Sequence, residues 1–217
     1  MIENNKNQPE ELITPKNILL KIWLSPKESF KFIDNYKYDK HVILLLILSG
    51  IVQAFDKAIS KNMGDDFSIW GVIIFSILIG TTCGWIINYL YATTISLTGK
   101  WFNAKGDTRS ILRVIAYALT PSIISLILLL VRISIYGNAV FQSPDNYFNG
   151  QFDEIIYYLF YFIELILVIW TMVLFAIGVS VAQKISIGKA ILNIILPAFL
   201  IILSALTLFV ISDLLLN

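Results

Sequence analysis

Cysteine and histidine are nearly missing from this chain: Cys83 and His41 are the only ones in 217 residues. A single cysteine cannot close an intramolecular disulfide, and the two residues together cannot build a Cys/His zinc framework. A serine protease working inside a bilayer would need its imidazole at depth beside the serine, and His41 stands at the edge of the first apolar run. Charge is scarce too, at 14% of residues against about 25% in soluble domains. No glycine-rich phosphate loop is present, and GDTR at 106–109 reads as a turn. Neither a metal nor a cofactor is expected, and a net charge of +1 gives no footing for nucleic acid.

Apolar residues make up 57% of the chain, and the mean hydropathy is +0.76. The reading is all-α: a polytopic membrane helical bundle of five transmembrane helices, preceded by short interfacial amphipathic helices. Five stretches reach the roughly 20 residues that cross a bilayer: about 41–60, 69–98, 109–136, 154–182 and 187–215. The first has the shortest clean apolar core. Thirteen of the sixteen cations fall before His41 or in the second and fourth connections, opposite Lys57, Lys61 and Arg132. Cytoplasmic loops collect lysine and arginine, so the N-terminus is placed in the cytoplasm and the C-terminus outside. Residues 1–40 form the cytoplasmic segment and 41–217 the membrane domain. The polar start, Met1 to Asn17, does not resemble a secretory signal.

Within that segment Ser25-Pro26-Lys27-Glu28 has capping-box spacing with proline at the first helical position. Two short helices within about 15–36, cornered at Ser25, are expected. Ile18, Leu19, Ile22 and Trp23 share one face, Phe30 and Ile33 another, with Lys16, Lys21, Lys27 and Lys31 alongside. Helices lying in the headgroup plane look like this, with Trp23 and Phe30 as anchors and Lys21, Lys27 and Lys31 beside them. Packing against the bundle ends is the alternative.

The WLSPKESF stretch, the basic second connection, AYALTP in the third span and five spans in this orientation resemble the Yip-domain family of Ypt/Rab-interacting membrane proteins. Pro26, Phe30, Tyr117 and Pro121 carry the resemblance, which runs from about Ile18 onward. It implies a five-span bundle with a cytoplasmic N-terminus and, for the eukaryotic branch, Rab GTPases and membrane traffic. This chain lacks the longer N-terminal region and D-L-Y-G-P element of that branch. The prokaryotic type and the bacterial cytoplasmic (inner) membrane are therefore expected, without a Rab-type partner.

Arg113, Tyr117 and Pro121 repeat every fourth residue with Ser125, and Thr120 lies beside them; Lys189, Asn193 and Pro197 repeat the spacing in the fifth span. A proline frees a carbonyl one turn earlier, and Thr120 and Asn193 are placed to help at the two bends. The functional alternative to simple kinks is a polar cytoplasmic vestibule of Arg113, Tyr117, Thr120, Pro121, Lys189, Asn193 and Pro197. Glu164 is a costly intramembrane acid sharing a face with Tyr157, Tyr161 and Thr171. It should face the interior, with hydroxyls, amides or water as its neighbours; Arg113 is too far across the membrane. Gly80 and Gly84, one turn before Asn88, form a small face for helix packing, within the chain or between copies. Gly178 and Ala182 offer another.

Two functions follow. One is a non-enzymatic organising or adaptor protein, working through its cytoplasmic face and helix contacts with lipid, with its own copies or with other membrane proteins. The other is a small proton-, ion- or lipid-linked transporter or channel using Glu164 and the kinked third and fifth spans.

Overall fold

The computed structural model describes residues 13–143 and 151–216, with side chains over 13–143 and 153–207. These residues form helices and turns without a strand: α1 (Ile18–Leu24), α2 (Pro26–Asn35), α3 (Val42–Ser60), α4 (Ile69–Gly99), α5 (Thr108–Ala118), α6 (Thr120–Tyr136), α7 (Gln151–Gln183) and α8 (Ile187–Leu216). Among the described residues, five helical stretches are long and apolar enough to cross a membrane: α3, α4 with its terminal turn, α5 and α6 in succession, α7 and α8. The N-terminal helices and the α4–α5 and α7–α8 connections share one end of the bundle, here the basic end.

The two prolines in the apolar runs have different outcomes. Pro121 has no N–H for the Tyr117 carbonyl, and the third span is interrupted at Leu119, between α5 and α6. The Thr120 hydroxyl donates to that carbonyl at 2.8 Å. Pro197 lies inside α8, which continues past it. One turn before it, Tyr91 of α4 donates to the Ile194 carbonyl at 3.0 Å, next to the position that the proline leaves without an amide. Asn193, expected to help there, is spent elsewhere, because its amide faces α4 and the end of α7.

The most intimate contact is between α3 and α4. A Cβ on Gly50 would meet the Gly80 carbonyl oxygen and come within 2.6 Å of the Gly84 Cα; one on Gly80 would lie 2.5 Å from the Ile51 Cα. Three glycines therefore let two backbones touch. Asn88, one turn on, donates to the Gly84 carbonyl at 2.9 Å and reaches Ser49 of α3 at 3.5 Å. The partner of the Gly80/Gly84 face is thus Gly50, in the clean apolar core of the first span.

The N-terminal helices turn at Ser25 with Pro26 opening α2, but the Ser25 side chain makes no cap bond. Their apolar face packs inward: Ile18, Ile22, Phe30 and Ile33 are buried in one core with Val114, Ala118, Leu174 and Val179. Phe30, expected as a bilayer anchor, is instead sunk against Gly178, where a Cβ would stand 2.9 Å from its ring. Trp23 is half-buried. The opposite face of α1 stays uncovered, with Leu20 67% and Leu24 72% exposed. The pattern that reads as a headgroup-plane helix thus has one apolar face for the bundle and a second, smaller one left over.

At the other end, the Gly64 carbonyl accepts Asn138 Nδ2 at 2.9 Å and Gln142 Nε2 at 3.2 Å, tying the α3–α4 connection to the turn after α6. α3 and α7 both pack on α6 but hardly on each other, which leaves a groove between them floored by α6.

Candidate functional site

That groove holds an ionic group. Arg132 of α6 is 5% exposed, and its Nη1 donates to Glu164 Oε1 of α7 at 3.1 Å. The Tyr157 ring stands 6.0 Å from the guanidinium carbon, at the outer limit for cation–π attraction. Asp56 of α3 faces the pair across a cavity of about 190 Å³, whose other lining residues are Ile59, Ser60, Tyr157 and Tyr161. A much smaller space of about 10 Å³ adjoins it, lined by Val52, Phe55, Ile59, Ser125, Leu126 and Leu129 together with Asp56 and Glu164.

One expectation needs correcting here. Arg132, counted among the cations opposite the basic end and inside the third span, lies within α6 and is buried. Glu164, expected to meet hydroxyls, amides or water, instead meets a guanidinium. Arginine is a natural partner for a carboxylate away from water, because its planar fork stays protonated and offers directed donors. Arg132 and Glu164 are far apart in sequence, so only packing makes the pair visible. Tyr157 and Tyr161 do line this cavity. Thr171 does not: its hydroxyl meets Ser122 of α6 at 3.0 Å, nearer the middle of the bundle.

The residues expected to share a cytoplasmic vestibule divide between two knots at the basic end. In the first, Asp39 takes Arg113 Nε and Arg109 Nη2, each at 2.6 Å, while the Tyr117 hydroxyl donates to the Lys40 carbonyl. Arg113 and Tyr117 are buried, and together they clamp the entry to α3 onto α5. Thr120 and Pro121 sit at the interruption just beyond. In the second, Asn193 Nδ2 donates to the Ile95 carbonyl at 2.9 Å and to Gln183 Oε1 at 2.8 Å, and Asn193 Oδ1 accepts from Thr98 at 2.6 Å. This knot joins α4, α7 and α8 with Asn193 and Gln183 fully buried. Lys189 belongs to neither and lies exposed on the first turn of α8. Asp39, Asp56, Thr98, Arg109, Arg132 and Gln183 are contributors that sequence reading does not assign to a site. Asp39 has one signal, as the acid within the basic KYDKH run.

The Arg113 guanidinium beside Asp39 holds its carboxyl below the usual carboxylate range, and the Ser110 amide does the same for Asp107, the N-cap of α5. A depressed carboxylate stabilises the fold above its unfolded value, about 3.9, and that stabilisation is lost as pH falls through the lower folded value. The melting-temperature gap between wild type and Asp39→Asn should therefore be steady from neutral pH down to about 5 and close below about 4. A gap that closes between pH 7 and 5 would rule out the Asp39–Arg113 pair as its source.

No group of three or more His, Cys, Asp or Glu side chains that could hold a metal ion occurs among the described residues. The family model for the Yip1 domain matches residues 20–209. No curated protein matches the chain, and no solved structure does.

Proposed function

The chain belongs to the Yip1 domain family of membrane proteins, and from that premise we propose that it is a non-enzymatic organising or adaptor protein acting through the basic end of its bundle. The family is generally linked to membrane trafficking, which suits a scaffold better than a catalyst. One observation carries the reading: α1 and α2 are fixed to the bundle by Ile18, Ile22, Phe30 and Ile33. α2 therefore presents Lys27 and Lys31 on a preformed surface, beside exposed Lys16, Lys37, Lys40, Lys100, Lys105, Arg109, Lys184 and Lys189. A pre-ordered basic surface attracts anionic headgroups and acidic partner surfaces with little ordering cost.

The charge asymmetry supports placing this end in the cytoplasm. The buried polar side chains of the two knots at this end are engaged with one another, which supports a structural use for the proline-bearing spans. The competing reading, a proton-linked transporter, draws on Glu164.

Reconstitution separates the two. Purified protein in liposomes carrying a lumenal pH dye should pass protons no faster than empty vesicles under an imposed gradient. Lys27→Glu/Lys31→Glu should weaken its enrichment in phosphatidylglycerol-rich domains of phase-separated vesicles by about thirtyfold or more, given about 1 kcal/mol per cation near an anionic surface. Proton flux abolished by Glu164→Gln would replace the adaptor reading with transport.

A further inference from the structure

We propose that the groove between α3 and α7 is a binding site for a phospholipid with a primary-amine headgroup, drawn from the leaflet at the end opposite the basic one. This inference does not depend on the adaptor reading.

The first argument is charge pattern. The cavity presents two carboxylates, Asp56 and Glu164, to one guanidinium, Arg132. Pairing Arg132 with Glu164 leaves Asp56 over. A carboxylate at the edge of a bilayer calls for a cationic partner or a hydrogen-bond donor. A primary ammonium is both. Its three N–H groups can reach Asp56, the second Glu164 oxygen and the Ser60 or Tyr161 hydroxyl, all around the same 190 Å³ space. A quaternary ammonium offers none of these donors, and an anionic head would meet the carboxylates.

The second argument is shape and depth. α3 and α7 part over α6, so the groove opens sideways and not along a closed channel. Asp56 lies one turn from the end of α3 and Arg132 one turn from the end of α6, which is headgroup depth. The space beyond it toward Val52, Phe55, Ser125, Leu126 and Leu129 is only about 10 Å³, too small for an acyl chain, so the chains of a bound lipid stay in the bilayer alongside the groove. A polar cavity at headgroup depth between two helices that do not close over it suits the head of a lipid from that leaflet. Tyr157 and Tyr161 at the rim are the residue type favoured where headgroups meet chains.

Native mass spectrometry of the full chain in mild detergent tests this directly. The protein is offered equal amounts of phosphatidylethanolamine, phosphatidylcholine and phosphatidylglycerol with matched acyl chains. Phosphatidylethanolamine should be retained about tenfold over the other two, as expected for hydrogen bonds to charged groups. Asp56→Asn should reduce that preference to within about twofold, while Asp66→Asn, in the exposed connection after α3, should leave it intact. Soluble glycerophosphoethanolamine should not compete. Equal retention of the three lipids, or an unchanged preference in Asp56→Asn, would overturn the site. Competition by the soluble headgroup would reassign it to a soluble amine. Should Asp56→Asn fail to fold, the wild-type comparison among headgroups still decides.

Discussion

Gly84→Leu is expected to cost the folded protein about 3 kcal/mol or more. Its side chain would enter the space taken by Gly50, whose backbone amide nitrogen would lie 3.3 Å from the new Cβ, with the Gly50 Cα closer still. Side chains can change rotamer to make room, but here the obstacle is backbone. Relief would require α3 and α4 to separate along their whole crossing, losing the Asn88–Ser49 contact as well. Gly188→Leu is the natural control. A Cβ added at Gly188 would meet nothing within 4 Å, and replacing an exposed helical glycine gains several tenths of a kcal/mol. Thermal unfolding read by size-exclusion chromatography in detergent should place the two variants on opposite sides of wild type. A Gly84→Leu protein that melts like wild type but changes its oligomeric state would show that the glycine face works between copies.

The second large effect concerns the buried charges, and it is asymmetric. Removing both acids, as Asp56→Leu/Glu164→Leu, takes the two carboxylates that line the cavity away from Arg132, which is 5% exposed. Guanidinium cannot shed its proton under any ordinary condition. The cost should be about 3–5 kcal/mol, the range for breaking a buried ion pair from one side. Arg132→Leu should be milder, roughly half as large, because a carboxyl group has an accessible neutral form and guanidinium does not. Glu164→Gln should be the mildest, since the amide oxygen can still accept from Arg132 while Asp56 keeps the charge nearby. If Arg132→Leu proves worse than the double acid variant, the arginine is not the charge that the acids serve to neutralise.

These two sites differ in how legible they are in the sequence. The Gly80/Gly84 face announces itself by spacing, because four residues return to the same side of a helix whatever surrounds it. Its partner Gly50 does not, since nothing in one helix encodes which neighbour it meets. The Arg132–Glu164 pair is hidden more deeply. Arginine near the end of a span looks the same in sequence whether it reaches outward to water or turns inward, and only the position of α7 on α6 chooses between them. Phe30 and Asn193 show the same limit. Amphipathic periodicity identifies an apolar face, and lipid or protein can cover it. A buried amide can turn toward a proline bend in its own helix or toward neighbouring helices, and the approach of α4 and α7 gave Asn193 the second course.

By itself the amino-acid sequence determined the helices, their number of crossings, the interruption at Pro121 and the concentration of cations at one end. Each of these follows from local rules: backbone groups in lipid must be satisfied within the helix, proline lacks an N–H, and hydropathy is a running sum along the chain. Tertiary structure alone decided that the N-terminal helices bury Phe30 against Gly178, that Asp39 takes both arginines, and that Asp56, Arg132 and Glu164 converge on one groove. Those outcomes depend on distances between residues far apart in the chain. Several partners of suitable chemistry were available to each, and packing selected among them.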